Sequence, residues 1–211
     1  MRFYGAVVLI LVRHGETEAN RLGRYLGRAD LELTARGRTQ IEALTHLLPS
    51  ADVVVSSPLL RARQTAGLLS GAIEIDERWI ELDYGPLDLT PVGTVAPELA
   101  ERWKHDPDFA PPGVETLSAL WHRVHEACDD LVSRAETSVV VVVTHVGPIK
   151  AALGWALGVP PTFAERLFVE DAGVSRIDIE PGRRIVRWFN RFGHEPGEGS
   201  EESSGRLPPG G

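Results

Sequence analysis

Apolar and polar positions alternate along this chain in blocks that read as strands separated by helices. The run Ala6-Val7-Val8-Leu9-Ile10-Leu11-Val12 has no polar interruption and predicts a first buried strand. A polar, glycine-containing stretch follows through Asp30. Thr34 is placed to cap a helix that carries Ile41, Leu44, Leu47 and Leu48 on one face and is ended by Pro49-Ser50. Val53-Val54-Val55 predicts a second buried strand, and Pro58 opens a helix through Leu69. Residues Ile73 to Ile75 predict a short third strand. Between Asp83 and Gly113 the chain is richer in Pro and Gly, with one helix expected from Pro97 to Lys104. Glu115 to Ala135 predicts a long amphipathic helix with Leu117, Leu120, Val124, Ala127, Cys128 and Leu131 turned inward. Val139 to Val143 is apolar and β-branched, as expected for the centre of a sheet. A helix from Gly147 to Leu157 and a hairpin of Val174–Ile179 and Arg184–Phe189 around Pro181-Gly182 complete the order.

Strands alternating with helices predict an α/β fold, a three-layer α/β/α sandwich around a mostly parallel sheet. No internal repeat is visible. One domain is expected over residues 1–192. The tail from 193 to 211 is Gly, Glu, Ser and Pro, too polar to bury a core, and is expected to be disordered.

Composition narrows the class. The chain has 211 residues, 43% hydrophobic and 25% charged, ordinary values for a globular domain. Its formal charge of −8 argues against a nucleic-acid partner, because such proteins carry a basic field. The longest apolar runs are too short to span a membrane. Met1 to Val12 lacks a small-residue cleavage site and runs straight into Arg13-His14, so a cytoplasmic location is expected. The single cysteine, Cys128, excludes an internal disulfide and falls in a helical pattern, as a packing residue does. Arg far outnumbers Lys, which occurs only at Lys104 and Lys150; with abundant Ala, Gly and Val this suggests a GC-rich bacterial genome.

Candidate chemistry clusters where strands end, the edge at which open α/β sheets bind ligands. Arg13-His14-Gly15-Glu16 follows the first strand. A guanidinium beside an imidazole suits a phosphate: the fork grips two oxygens and the ring nitrogen can attack phosphorus. Ser56-Ser57-Pro58-Leu59-Leu60-Arg61-Ala62-Arg63 follows the second strand, with Arg61 near a helix start whose free N–H groups favour an anion. Arg63 is read as a surface residue. Thr144-His145-Val146-Gly147 follows the apolar strand 139–143 and repeats the first arrangement. Glu81-Leu82-Asp83-Tyr84-Gly85 supplies carboxyl groups. A carboxyl held near phosphate and apolar walls can retain a proton for a leaving oxygen, and Asp83 is the rival to Glu81. His122 and His125 lie one turn apart on a helix but lack a third ligand, so no metal site is assigned.

Taken in order, these segments resemble the histidine phosphatase superfamily, the phosphoglycerate-mutase-like group, and within it the short bacterial branch of broad-specificity and α-ribazole phosphatases. The resemblance also takes in Thr17-Glu18-Ala19-Asn20, Gly27, Asp30, Leu33-Thr34-Ala35-Arg36-Gly37 and Gly113-Val114-Glu115-Thr116. It implies a phosphoglycerate-mutase-like fold and a phosphomonoesterase that needs neither cofactor nor metal. His14 would become a phosphohistidine. Arg13, Arg61 and His145 would hold the phosphoryl charge, and Glu81 would act as acid and then base. Thr17, Asn20, Gly27 and Gly147 would border the substrate, a small phosphorylated metabolite. A homodimer through a sheet edge is compatible with it.

The chain departs from the pattern at Leu87-Asp88-Leu89, where many relatives carry Trp-Glu-Gly, and at Val146, where they have Gly. Mutases of the group carry extra basic segments between the positions of Glu81 and Glu115. Here that stretch holds only Arg102, Lys104 and His105, expected on the outside of a covering helix. Phosphoglycerate mutase activity and a non-catalytic phosphate-binding module remain as alternatives to hydrolysis.

Overall fold

A computed structural model describes residues 7–44, 47–70, 72–134 and 138–193. Six strands form one sheet: β1 (Val7–Arg13), β2 (Val53–Ser56), β3 (Glu74–Ile75), β4 (Val139–Thr144), β5 (Val174–Glu180) and β6 (Arg183–Arg191). Their order is β3-β2-β4-β1-β5-β6. The pairs β3/β2, β2/β4 and β4/β1 are parallel, while β5 and β6 add as an antiparallel hairpin, so the sheet is mixed and mostly parallel.

The pleat explains the layers. On β1, Leu9 and Leu11 face one side with Val140 and Val142 of β4, and Val8, Ile10 and Val12 face the other with Val141 and Val143. The first side is covered by helices α5 (Leu117–Arg134) and α6 (Val146–Leu157) through Leu120, Trp121, Val124, Ile149 and Leu153. The second is covered by α2 (Ala35–Glu42) and α3 (Leu60–Leu69) through Ile41, Ala62 and Ala66, with Leu44 just beyond α2. Burial on both faces accounts for the unbroken apolar runs of β1 and β4. The short α1 (Glu18–Arg21) follows β1, and α4 (Pro97–His105) brings Trp103 and Lys104 to a cavity lined also by Tyr25 and Tyr84. Among the described residues no helix is long and apolar enough to cross a membrane.

Several expectations shift in detail. The helix capped by Thr34 ends at Glu42 rather than near Leu48. Beyond it Leu44 donates to Ile41 and Leu47 to Leu44, i→i−3 bonds that tighten the chain out of α geometry. Leu47 is consequently 38% exposed. α3 begins at Leu60, two residues after Pro58, because the backbone N–H of Leu60 is bound by the Asp30 carboxylate. The predicted end of α5 at Ala135 and the tail from 194 to 211 lie outside the described residues. Cys128 is buried in the core under α5.

Candidate active site

Parallel pairing of β1 with β4 aligns Arg13 with Thr144, so the next residues, His14 and His145, leave neighbouring strands side by side. The His14 N–H donates to the Thr144 carbonyl at 3.0 Å, and the two imidazole rings lie edge-on with centroids 5.0 Å apart. Hydrogen bonds set the tautomers. Nδ1 of His14 lies 2.8 Å from the Gly15 carbonyl, which can only accept, so Nδ1 carries the proton and Nε2 the lone pair. His145 Nε2 lies 2.7 Å from Ser57 Oγ.

Arg61, in the first turn of α3, is fully buried between the two rings. Its Nε–H is shared between Nε2 of His14 and Nδ1 of His145, each at 3.2 Å. Its terminal nitrogens donate to the carbonyls of Ala29 and Gly27, both at 2.8 Å. Burial draws the guanidinium down to about 10, which leaves it charged at neutral pH. Burial, followed by the fields of Arg61 and Arg13, holds His14 well below its ordinary value. His145 is lowered in the same direction by burial and Arg61. Both rings are therefore neutral near pH 7.

Arg13 closes the opposite side. One terminal nitrogen donates to the Val169 carbonyl at 2.6 Å and the other pairs with Asp171 at 2.6 Å. Glu81 is 5% exposed and sits at the start of α6. Its carboxylate accepts from the backbone N–H of Leu82 at 2.7 Å and of Gly147 at 3.1 and 3.2 Å. Burial outweighs those donors and raises the Glu81 carboxyl above its usual range. A Cβ at position 147 would lie 2.4 Å from Glu81 Oε1, so glycine is what lets the acid approach the helix start.

Arg13, His14, Asn20 and Glu81 line one cavity, bordered by Arg24, Tyr25, Leu26 and Tyr84. Of the other predicted site residues, Thr17 caps α1: its hydroxyl donates to Asn20 Oδ1 at 2.7 Å, which leaves the Asn20 amide NH2 for the cavity. Gly27 acts through its backbone. Its carbonyl holds Arg61, and a Cβ there would lie 2.6 Å from the Leu82 carbonyl. Asp83 turns away from the cavity and accepts from the Gly85 N–H at 2.8 Å.

Sequence reasoning missed several supports. Asp88 accepts the N–H groups of Gly27 at 2.8 Å and Ala29 at 2.7 Å, the two residues whose carbonyls hold Arg61. It lies in the departing triplet Leu87-Asp88-Leu89, which was the one signal for it. Arg123 of α5 donates to the carbonyls of Arg78, Ile80 and Glu81 and pairs with Glu115 at 2.8 Å, which fastens the segment bearing Glu81. Phe168 and Val169, which also line the cavity, had no sequence signal.

A second cavity adjoins the first and shares Tyr25, Tyr84, Val92, Val146 and Lys150 with it. Lys104 lines this cavity and pairs with Glu101 at 3.4 Å, whereas it was expected on the outside of α4; the turn of α4 that buries Trp103 carries Lys104 to the same wall. Arg102 and His105 do point outward, to Asp106 and Glu101. His122 and His125 face Glu126 and the Ala151 carbonyl respectively.

The arrangement can be compared with known proteins. Over 194 residues the chain is 34% identical to phosphoserine phosphatase 1 of Hydrogenobacter thermophilus, covering 87% of this chain and 92% of that one. It is 34% identical over 197 residues to the bifunctional protein Rv2228c of Mycobacterium tuberculosis, but spans only 54% of that longer relative. Its fold superposes on the α-ribazole phosphatase of Shigella flexneri with a TM-score of 0.78 at 29% identity, covering 87% of this chain and 96% of that one. A family model for the histidine phosphatase superfamily (branch 1) matches residues 9–191, which take in both histidines, both arginines and the buried glutamate. The chain that brings His14, Arg61 and His145 together at one sheet edge thus belongs to the histidine phosphatase superfamily.

Proposed function

We propose that this protein hydrolyses phosphomonoesters of small metabolites through a phosphohistidine at His14. The observation that carries the reading is the unprotonated Nε2 of His14, which accepts from the Arg61 Nε–H, in a ring that lines a cavity with Arg13 and the buried Glu81, whose carboxyl is raised by burial. The names of relatives, phosphoserine phosphatase and α-ribazole phosphatase, support phosphate-ester hydrolysis as the class.

In this reading Nε2 attacks phosphorus as the ester P–O bond breaks, and the Glu81 carboxyl gives its proton to the departing oxygen. Arg13, Arg61 and His145 hold the three phosphoryl oxygens, with Asn20 at the rim. Phosphoryl transfer depends chiefly on such positioning and charge stabilisation. Water then attacks the phosphohistidine, Glu81 takes its proton, and inorganic phosphate leaves with His14 Nε2 free again. No step calls on a metal or cofactor. Gly27 and Thr17 serve as positioning residues for Arg61 and Asn20, and Gly147 positions Glu81.

Hydrolysis of p-nitrophenyl phosphate in EDTA, wild type beside His14→Ala, tests this. Activity that resists EDTA and falls at least about a thousandfold in the variant is expected. Equal rates in the two proteins would remove His14 from the mechanism. Acid-labile label on wild type, absent from His14→Ala, separates an enzyme from a phosphate-binding module.

A further inference from the structure

One buried hydroxyl against the site histidines has no part in the mechanism above. Ser57 follows β2, whose parallel pairing with β4 sets Ser56 beside Val143, and Ser57 and His145 are both fully buried. Ser57 Oγ accepts the Leu59 N–H at 3.4 Å and lies 2.7 Å from His145 Nε2. The other ring nitrogen fixes the His145 tautomer. Nδ1 lies 3.2 Å from Arg61 Nε, which can only donate, so Nδ1 carries the lone pair and the Nε2–H donates to Ser57 Oγ. The single Arg61 Nε–H thus meets two lone pairs, those of His14 Nε2 and His145 Nδ1. As placed, His145 is an acceptor there, whereas a ring that holds a phosphoryl oxygen must donate to it.

We infer that His145 takes up a proton at Nδ1 as the phosphoryl group binds, and that Ser57, by accepting the Nε2–H across the ring, sustains this double protonation. Ser57 is then a positioning residue of the site. The inference rests on the phosphate-binding half of the reading above. Nε2 is committed to Ser57, so Nδ1 is the nitrogen left for the oxygen. The proton comes from solvent or from the monoanion of the ester, and the only bond formed in this step is N–H. The groups around the ring explain why uptake waits for the anion. Arg61 of α3, His14 and Arg13 at the end of β1, and Arg123 of α5 face it, and burial joined to their fields keeps the ring neutral before substrate arrives. Glu81, held by the Gly147 N–H two residues further on, is the neighbouring acid. A phosphoryl dianion among these cations reverses the field at Nδ1 and accepts from both the Nδ1–H and the Arg61 Nε–H.

The test follows isotope-labelled histidine ring nitrogens by NMR in the full chain, with and without sulfate, a tetrahedral dianion that brings no proton of its own. The signals missing from His145→Gln assign the ring. Near pH 7 without sulfate a proton on Nε2 alone is expected, and saturating sulfate should protonate Nδ1 as well. Ser57→Ala should lower the pH at which His145 in the sulfate complex gives up that second proton by about one to two pH units, the effect of one lost charge-assisted hydrogen bond. Ser57→Thr, which keeps the hydroxyl, should restore part of it. A purely structural role for Ser57 would lower Tm and leave this midpoint in place. A proton on Nδ1 without sulfate, a His145 that stays neutral or unresponsive as sulfate is added, or an unmoved midpoint in Ser57→Ala overturns the inference. Absence of p-nitrophenyl phosphate turnover with sulfate-linked protonation intact would overturn the hydrolase reading and leave this one standing. Turnover that depends on His14 beside a His145 that stays neutral would do the reverse.

Discussion

At the residue scale the site works by setting proton positions before substrate arrives. Gly15 fixes the His14 tautomer, and burial plus two arginines keep its ring neutral. Glu81 carries the opposite perturbation, a carboxyl raised above its usual range by burial although two backbone N–H groups favour its anion. Its role as acid predicts that Glu81→Gln slows alkyl phosphates by about 10²–10⁴ and p-nitrophenyl phosphate, whose leaving group needs no proton, far less. The sign of the pH dependence follows. Activity on alkyl phosphates is lost as pH rises through the raised Glu81 value, and this alkaline limb disappears in the variant. On the acid side, the lowered His14 value keeps the nucleophile unprotonated below its ordinary 6.5. Steady-state pH profiles on both substrates check each limb. Gly147→Ala should mimic Glu81→Gln on alkyl phosphates, because the added methyl occupies the space of Oε1.

At the scale of elements, no helix or strand alone contains the site; the segments at the ends of β1, β2 and β4, with the first turn of α3, are locked together by side chains from elsewhere. Asp88 gathers the two N–H groups of Gly27 and Ala29, whose carbonyls hold Arg61, whose Nε reaches both histidines. Asp88→Ala should therefore lower kcat by about tenfold or more and weaken vanadate binding, with a stability loss of about 2 kcal/mol for the released donors. Vanadate inhibition constants, measured beside thermal melts, separate the two effects. Full activity and unweakened vanadate binding in Asp88→Ala would rule out this positioning chain. Residue Leu89, next to it, adopts a left-handed φ of 64°, which a leucine disfavours, so this loop is held by its hydrogen bonds and not by local preference.

At the scale of the whole molecule, the site couples to stability through protons. His14 and His145 stay neutral in the folded chain but take up protons in the unfolded chain as pH falls through 6.5. Below that value the unfolded state binds more protons, so stability declines by at most about 1.4 kcal/mol per pH unit for each histidine. Glu81 opposes this. Its folded value lies above 4.5, so the folded chain binds that proton first and gains stability as pH falls. Glu81→Gln removes the opposing contribution, and the fall in Tm below pH 6.5 should be steeper in that variant. Parallel melting curves of the two proteins would sink this coupling.

The order of elements, the α/β layering and the family were legible in the sequence, because β1 and β4 are buried on both faces and the motifs Arg13-His14, Arg61 and Thr144-His145 follow strand ends directly. Helix ends were less legible where bonds outside the apolar pattern decided them, local i→i−3 bonds after Glu42 and the remote Asp30 carboxylate at Leu60, and Lys104 was misplaced because periodicity on a short helix does not say how far its buried face extends. The site shows the same division. The residue types that could do phosphate chemistry are written locally, since each stands at the end of an apolar run. Which of two acids faces the cavity, which nitrogen of His14 carries the proton, and that Asp88 supports Arg61 were decided by the tertiary structure alone. These properties depend on burial and on hydrogen bonds between segments remote in the chain, and neither is a property of a short stretch of sequence.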